Sequence, residues 1–302
     1  MLDEPVAYLD NACVTLKPQS VIDSIQDYYI NTPGCGGRSV HRYGTHVSKI
    51  ISQSRKKLSD FFSSPSVKEM VFTRNATHSL NQIAKGLEWN KGDVVLTTDR
   101  EHNSNLVPWL QLEQEQGIDH RIVRSNQDNT FSLESFEKAC ADAGSKLKMV
   151  SMSHVGNLDG VEIPVKEITR IAKDYDALVS IDGAQSAPHM NVNVQDLGID
   201  FYSFSIHKML GPSGMGGLWG RTELLENMRT IQSGGQTVKS STYESLEWAK
   251  PPSKFEGGLG HFAGMMATGA AIDYLTKLDM NQVHAHEQSL NKIMSDGVKD
   301  LP

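Results

Sequence analysis

Lys208 stands where two kinds of sequence meet. Before it, Phe201-Tyr-Ser-Phe204 is an apolar run that reads as a short strand; after it, Met209 to Gly217 is rich in glycine. Ser205 and His207 lie close enough in the chain to share a small anion with the lysine. A primary amine flanked by two hydrogen-bond donors suits a Schiff base with a phosphorylated carbonyl compound, which reads as pyridoxal phosphate (PLP). A His-Lys pair by itself is more often part of a solvated loop. The reading therefore depends on what else the chain supplies.

PLP draws electrons well only while its pyridine nitrogen is protonated, which calls for a carboxylate beside that nitrogen. Ala177-Leu-Val-Ser-Ile-Asp182 is an apolar strand ending in a carboxylate, followed by Gly183, Ala184 and Gln185. Asp182 is the expected pyridinium partner, and Gln185 is placed to hydrogen-bond the ring's phenolic oxygen. Taken alone, such an aspartate is more commonly a turn residue. One crossover leads from this strand to the one before Lys208, so both residues can face a crevice at the carboxyl ends of parallel strands.

Further upstream, Glu69 to Thr73 reads as a strand running into Arg74-Asn-Ala-Thr-His78 and a helix to about Leu87. Such a turn offers unpaired N–H groups and the positive end of a helix dipole, a site for phosphate at Ala76 and Thr77. Local sequence alone favours a plain N-cap threonine. Glu101-His-Asn-Ser-Asn105 follows a strand over Val94 to Thr97, and His154-Val-Gly-Asn157 follows one over Lys148 to Ser153.

These spaced motifs, with Tyr8-Leu-Asp-Asn-Ala12 and Gly211-Pro-Ser-Gly214, resemble the class V aminotransferases, most closely the cysteine desulfurases. The likeness runs in register from Tyr8 to about Leu301. It implies that Ala76 and Thr77 belong to the phosphate cradle, and that His102 stacks on the PLP ring and moves protons. It also implies that Asn157 contacts the ring oxygen and the substrate side. His41 and Arg42 fall where the family has an active-site entrance, with Tyr43 in place of a usual glycine. Phe255-Glu-Gly-Gly-Leu-Gly-His261 matches a stretch whose threonine reaches the partner's phosphate in the family dimer; Leu259 stands there instead.

The resemblance further implies an α/β PLP-dependent transferase fold of the aspartate-aminotransferase type, with a three-layer, mainly parallel mixed sheet. The expected division is a large domain over residues 14–262 and an incomplete α+β small domain from 1–13 and 263–302. Family chains carry a persulfide-forming cysteine and a carboxylate-binding arginine in a part that lies beyond Pro302 here. The expected activity is conversion of L-cysteine to alanine with transfer of sulfur, impaired in a chain of this extent. A homodimer and a sulfur-acceptor protein are the expected partners, in iron–sulfur cluster assembly or other sulfur transfer. Another class V aminotransferase or lyase, and a PLP-binding protein without catalysis, stay open as alternatives.

Three cysteines do not suggest a disulfide framework. Cys13 and Cys140 are expected to be structural, since buried free cysteine behaves as a small hydrophobe. Cys35, in the glycine-rich Asn31–Ser39 loop, is the alternative nucleophile. A net charge of -7, with 38% hydrophobic and 22% charged residues, describes an ordinary globular chain and argues against general nucleic-acid binding. The sequence contains no secretory signal or membrane-length apolar run, so a cytoplasmic protein is expected, and no metal site is expected.

The remaining elements follow from apolar spacing. Helices are expected over Pro18–Tyr29, Ser48–Phe62, Leu133–Ala143, Ile168–Tyr175, Thr222–Met228, Ala263–Leu278 and Gln282–Val298. Ile118–Val123 and Gly217–Gly220 read as strands, and Thr242–Pro252 as irregular. The alternation of strand and helix suits helices packed on a mainly parallel sheet.

Overall fold

A computed structural model describes residues 6–299, so the ends of the expected small-domain segments, 1–5 and 300–302, lie outside the described residues. Five strands form the parallel part of the sheet: β2 (Val94–Thr98), β3 (Asp119–Val123), β4 (Leu147–Ser153), β5 (Leu178–Asp182) and β6 (Phe201–Ser205). With β1 (Met70–Thr73) and β7 (Gly216–Gly220) they make a seven-stranded sheet of order β1-β7-β6-β5-β4-β2-β3. Only β7 runs against the others, pairing antiparallel with both β1 and β6. This is the mixed, mainly parallel sheet that the resemblance implied. Its central strands are buried along their whole length. That explains why their sequences are nearly unbroken apolar runs, as a sheet covered on both faces requires.

The covering helices are α1 (Gln19–Asn31), α2 (Arg42–Phe61), α3 (Ala76–Gly86), α4 (Asn103–Gln116), α5 (Leu133–Ala143), α6 (Val165–Lys173), α7 (Val194–Leu197) and α8 (Thr222–Asn227). In α6, Val165, Ile168, Thr169, Ile171 and Ala172 are buried while Lys166, Glu167 and Arg170 face solvent, a 3.6-residue stripe. The carboxyl ends of β1, β2, β4, β5 and β6 share one rim of the sheet. The turns after them are where the motifs lie.

Three segments differ from the expectation. α4 was not legible because Pro108 interrupts it; the ring removes one backbone donor, yet buried Trp109 and Leu112 hold the helix, and Gly117 ends it at φ 71°. α2 starts at Arg42, capped by His41, six residues before the apolar pattern becomes regular. Part of Thr242–Pro252 is a hairpin strand, with β8 (Val238–Ser241) pairing β9 (Leu246–Trp248). Both of its strands are short and mostly exposed, Leu246 and Trp248 included, so no apolar alternation announces them.

Packing also continues past the expected boundary at residues 262–263. In α9 (Phe262–Leu278), Phe262, Met265, Met266, Ile272 and Leu275 belong to the main core, and Ala267 and Ala271 meet Val21 of α1. α10 (Met280–Val298) buries only Met280. No helix of the described residues is long and apolar enough to cross a membrane.

His154, at the end of β4, is 4% exposed and its Nδ1 has no partner. Burial pushes its pKa down to about 4. Among the described residues the one acidic group near the ring is Glu162, its Oε1 3.9 Å from Nε2. The unfolded chain therefore takes up a proton near pH 6.5 that the folded chain refuses, so stability falls as pH falls from about 6.5 toward 4. Between pH 7.5 and 5 this single group should remove about 2 kcal/mol. Urea unfolding of the wild type and His154→Phe at the two pH values measures it. An equal pH dependence in both proteins would refute the assignment.

Candidate functional site

The rim encloses a cavity of about 410 Å³. Its wall is supplied by five strand-end turns: Ala76 and Thr77 after β1, His102 and Ser104 after β2, Asn157 after β4, Asp182 and Gln185 after β5, and Ser205, His207 and Lys208 after β6. The opening segment adds Asp10, Ala12 and Cys13. Residues from Asp10 to Lys208 thus converge on one volume although up to 198 positions separate them in the chain.

Asp182 is the most constrained group of the wall. Its pairing with Ser203 of β6 places it at the last rung of the sheet, and it is only 4% exposed. Oδ1 accepts the Ala184 N–H at 2.9 Å. Burial raises its pKa above the usual carboxylate range, and neither that N–H nor the field of Lys208 reverses the effect. Gly183 follows because a Cβ there would lie 2.0 Å from the Tyr202 ring.

Lys208 ends a short 3₁₀ turn, Ile206–Lys208, directly after β6. Among the described residues no hydrogen bond or ion pair reaches its Nζ. Burial lowers its pKa, although Asp182 and Cys13 act in the opposite sense. A lysine moved toward its neutral amine is the form that attacks a carbonyl. The turn is held from outside the sheet: the His207 carbonyl accepts from Thr15 Oγ1 at 3.0 Å and Lys17 Nζ at 2.7 Å. Neither Thr15 nor Lys17 was identified from sequence; a lysine before a proline gives no sign of being a clamp.

On the opposite wall α3 presents its N-terminus. Asn75 caps it through Oδ1, which accepts the His78 N–H at 2.9 Å. The Ala76 N–H goes to Ser205 Oγ at 3.0 Å, so Ser205 accepts there and keeps its own hydrogen for the cavity. β7 comes so close that a Cβ on Gly216 would lie 2.4 Å from Asn75 Cα, which fixes glycine at that position. The turn, the hydroxyls of Thr77 and Ser205 and the helix dipole together suit a phosphate.

His102 lies between these walls. Burial and the positive field of Lys208 lower its pKa, so the ring is neutral near pH 7. Its neighbour Glu101 is a hub that sequence reasoning treated as part of a motif only. Glu101 accepts from Thr98 Oγ1 (2.6 Å), Asn105 Nδ2 (2.6 Å), Ser153 N (3.1 Å) and Ser153 Oγ (2.7 Å). One carboxylate thereby ties β2, α4 and β4 together beneath the cavity.

The remaining expected residues divide. Asn157 and Gln185 line the cavity, with Gln185 Nε2 donating to the Ala12 carbonyl at 3.0 Å and so fixing the opening segment. His41 and Arg42 do not line it: His41 caps α2 through Nδ1, which accepts the Gly44 N–H, and Arg42 begins that helix. The thiols are reversed from expectation. Cys13 is exposed and lines the cavity. Cys35 is half-buried against the main core, its Sγ 3.7 Å from the Gly36 carbonyl, because the glycine-rich loop folds down on α2. Cys140 is buried, with its thiol pushed up to about 12.

This set fits the group expected from the sequence. A buried carboxylate requires a cationic partner, an unpaired amine a carbonyl, and a capped helix start an anion.

Comparison with known proteins identifies the family. The sequence model of the class-V aminotransferase family matches residues 7–302. A probable cysteine desulfurase of Halalkalibacterium halodurans is 37% identical over 300 residues, covering 98% of this chain and 73% of that protein. The apo structure of a cysteine desulfurase from Thermococcus onnurineus NA1 superposes with a TM-score of 0.93 at 33% identity, over 98% of this chain and 74% of that one. The cysteine desulfurase CsdA from Escherichia coli gives 0.90 at 30% identity, again over 98% and 74%.

The three thiols should differ in reactivity in the order of their exposure. Brief treatment of the native chain with iodoacetamide should label Cys13 first, Cys35 several-fold more slowly and Cys140 only on unfolding, as read by peptide mass spectrometry. Labelling of Cys35 at least as fast as Cys13 would contradict the placement of the two thiols.

Proposed function

The chain belongs to the class-V aminotransferase family; from that premise we propose that it is a PLP-dependent cysteine desulfurase, converting L-cysteine to alanine and passing the sulfur to a thiol. One observation carries the reading: the unpaired Lys208 amine shares a cavity with a buried carboxylate and a helix N-terminus. When bound, PLP supplies an electron sink for charge that develops on the amino acid. Lys208 would attach it, and Asp182 would keep its ring nitrogen protonated. Ala76, Thr77, Ser205 and His207 would hold its phosphate. Asn157 and Gln185 would face the ring oxygen.

His102 and Lys208 are the proton carriers. Each is displaced toward its neutral form by burial, so each can take up a proton near pH 7 where its unperturbed counterpart would do so less readily (the lysine) or be partly charged already (the histidine). Asp182 performs no proton transfer; its service is a fixed negative charge in a site of low dielectric. Cys13 is the thiol that sulfur leaving a substrate in this cavity would meet.

The same reading includes a homodimer, a sulfur-acceptor protein serving iron–sulfur cluster assembly, and a cytoplasmic location. It keeps the division into a large domain and a small one, with α10 on the side of the latter. A second cavity of about 310 Å³ lies beside Leu259, lined by Arg74, His78, Glu256 and His261 among others. That cavity lies just outside the turn assigned to the phosphate.

Incubation with PLP should produce a visible absorbance band that borohydride discharges, leaving a pyridoxyl group on Lys208 by mass spectrometry. Lys208→Ala should show neither. Asp182→Asn should keep the adduct but lose on the order of 3 kcal/mol of transition-state stabilisation, about a hundredfold in turnover. A reduced adduct on another lysine, or full turnover by Asp182→Asn, would sink the assignment.

A further inference from the structure

Three hydrogen bonds join the anion cradle to His102. Thr77 Oγ1 lies 2.6 Å from Ser104 Oγ, and Ser104 Oγ lies 2.9 Å from His102 Nδ1. The backbone N–H of Ser104 donates to the same Nδ1 at 3.1 Å. A backbone N–H can only donate, so Nδ1 is an acceptor and the neutral ring carries its hydrogen on Nε2. With Nδ1 accepting, the Ser104 hydroxyl must be the donor in that pair. It then has no hydrogen for Thr77, so the Thr77 hydroxyl donates to Ser104. Ser104 is buried between two exposed partners, Thr77 and His102, so it is the fixed middle link of the chain of bonds.

We propose that Ser104 is a positioning residue whose hydroxyl presents His102 to the cavity as an Nε2–H imidazole and couples that state to the anion cradle at Thr77. When an anion enters the cradle, the Thr77 hydrogen turns to it. Thr77 Oγ1 can then accept, and the Ser104 hydrogen follows, leaving Nδ1 with one donor in place of two. A donor on Nδ1 stabilises the neutral ring, so removing one makes His102 more basic. A filled cradle thus makes His102 a better proton acceptor. That consequence for catalysis rests on the function proposed above; the order of the hydrogens does not.

The titratable groups around this cavity are Lys208 and His207 after β6, Asp182 at the end of β5, and Asp10 and Cys13 from the opening segment. Glu101, next to His102 in the chain, directs its carboxylate into the hub below. These surroundings are common to wild type and variants, so a change confined to a Ser104 variant reports the hydroxyl.

The test is a pH titration of the ¹⁵N-histidine-labelled chain by NMR, with and without inorganic phosphate. The neutral His102 ring should show the Nε2–H signature. Phosphate should raise its proton affinity, by the anion's own field and by release of the Ser104 hydrogen together. Ser104→Ala should raise proton affinity about two- to tenfold without phosphate, the worth of one neutral hydrogen bond, and respond less to phosphate. Ser104→Thr should restore the wild-type titration. Thr77→Val should leave the titration near wild type without phosphate and blunt the phosphate response; it decides the matter if Ser104→Ala does not fold. An Nδ1–H ring, or a Ser104→Ala titration equal to wild type, would overturn the proposal. Formation of the borohydride-stable PLP adduct on the same samples tests the function separately: its loss would count against the cofactor reading and leave the tautomer result standing.

Discussion

The burial of Asp182 without a counter-ion is the constraint around which the site is built. A carboxylate 4% exposed at the end of a central strand is unfavourable by several kcal/mol unless something offsets it. The Ala184 N–H and the field of Lys208 do so only in part, since burial remains the larger influence on its pKa. The one hydrogen bond that Asp182 makes, from the Ala184 N–H, leaves most of its charge without a partner. The chain tolerates the charge at the place where a cationic ring would make it favourable. This pattern is what functional sites show when they concentrate perturbed groups in a cleft.

The rest of the rim acts as support. β6 brings Lys208 beside Asp182 because the two strands are neighbours in register, Asp182 against Ser203. Thr15 and Lys17 bind the His207 carbonyl from one side, and Gln185 binds the Ala12 carbonyl from the other, so the opening segment closes the cavity wall. Glu101 joins β2, α4 and β4 with a single carboxylate. Such satisfied polar networks are rigid because each lost bond would strand a buried group. Rigidity here holds His102 and Lys208 at fixed positions around one cavity.

Much of this was legible in the sequence for a physical reason. Strands covered on both faces must be apolar throughout, so β5 and β6 were legible, and the motifs that resemble the family singled out Asp182 and Lys208 at their ends. Other features depend on distant contacts that local pattern does not record. α4 survives Pro108 because Trp109 and Leu112 are buried, and β8 with β9 forms a short hairpin whose Leu246 and Trp248 stay exposed. Cys35 looked available because its loop is rich in glycine, yet that loop folds down on α2. Cys13 looked structural, yet the clamp by Gln185 turns its segment into the cavity. His41 caps α2 and Arg42 begins that helix, a local role that the loop sequence before them does not record.

The account stands on the fate of the carbon skeleton of L-cysteine in this cavity. The most direct measurement supplies L-cysteine and a thiol reductant to the PLP-loaded chain and identifies the amino-acid product by mass spectrometry. The account predicts alanine, formed with an equal amount of sulfide and absent from Lys208→Ala. Pyruvate and ammonia in place of alanine would contradict it and assign the site to a lyase.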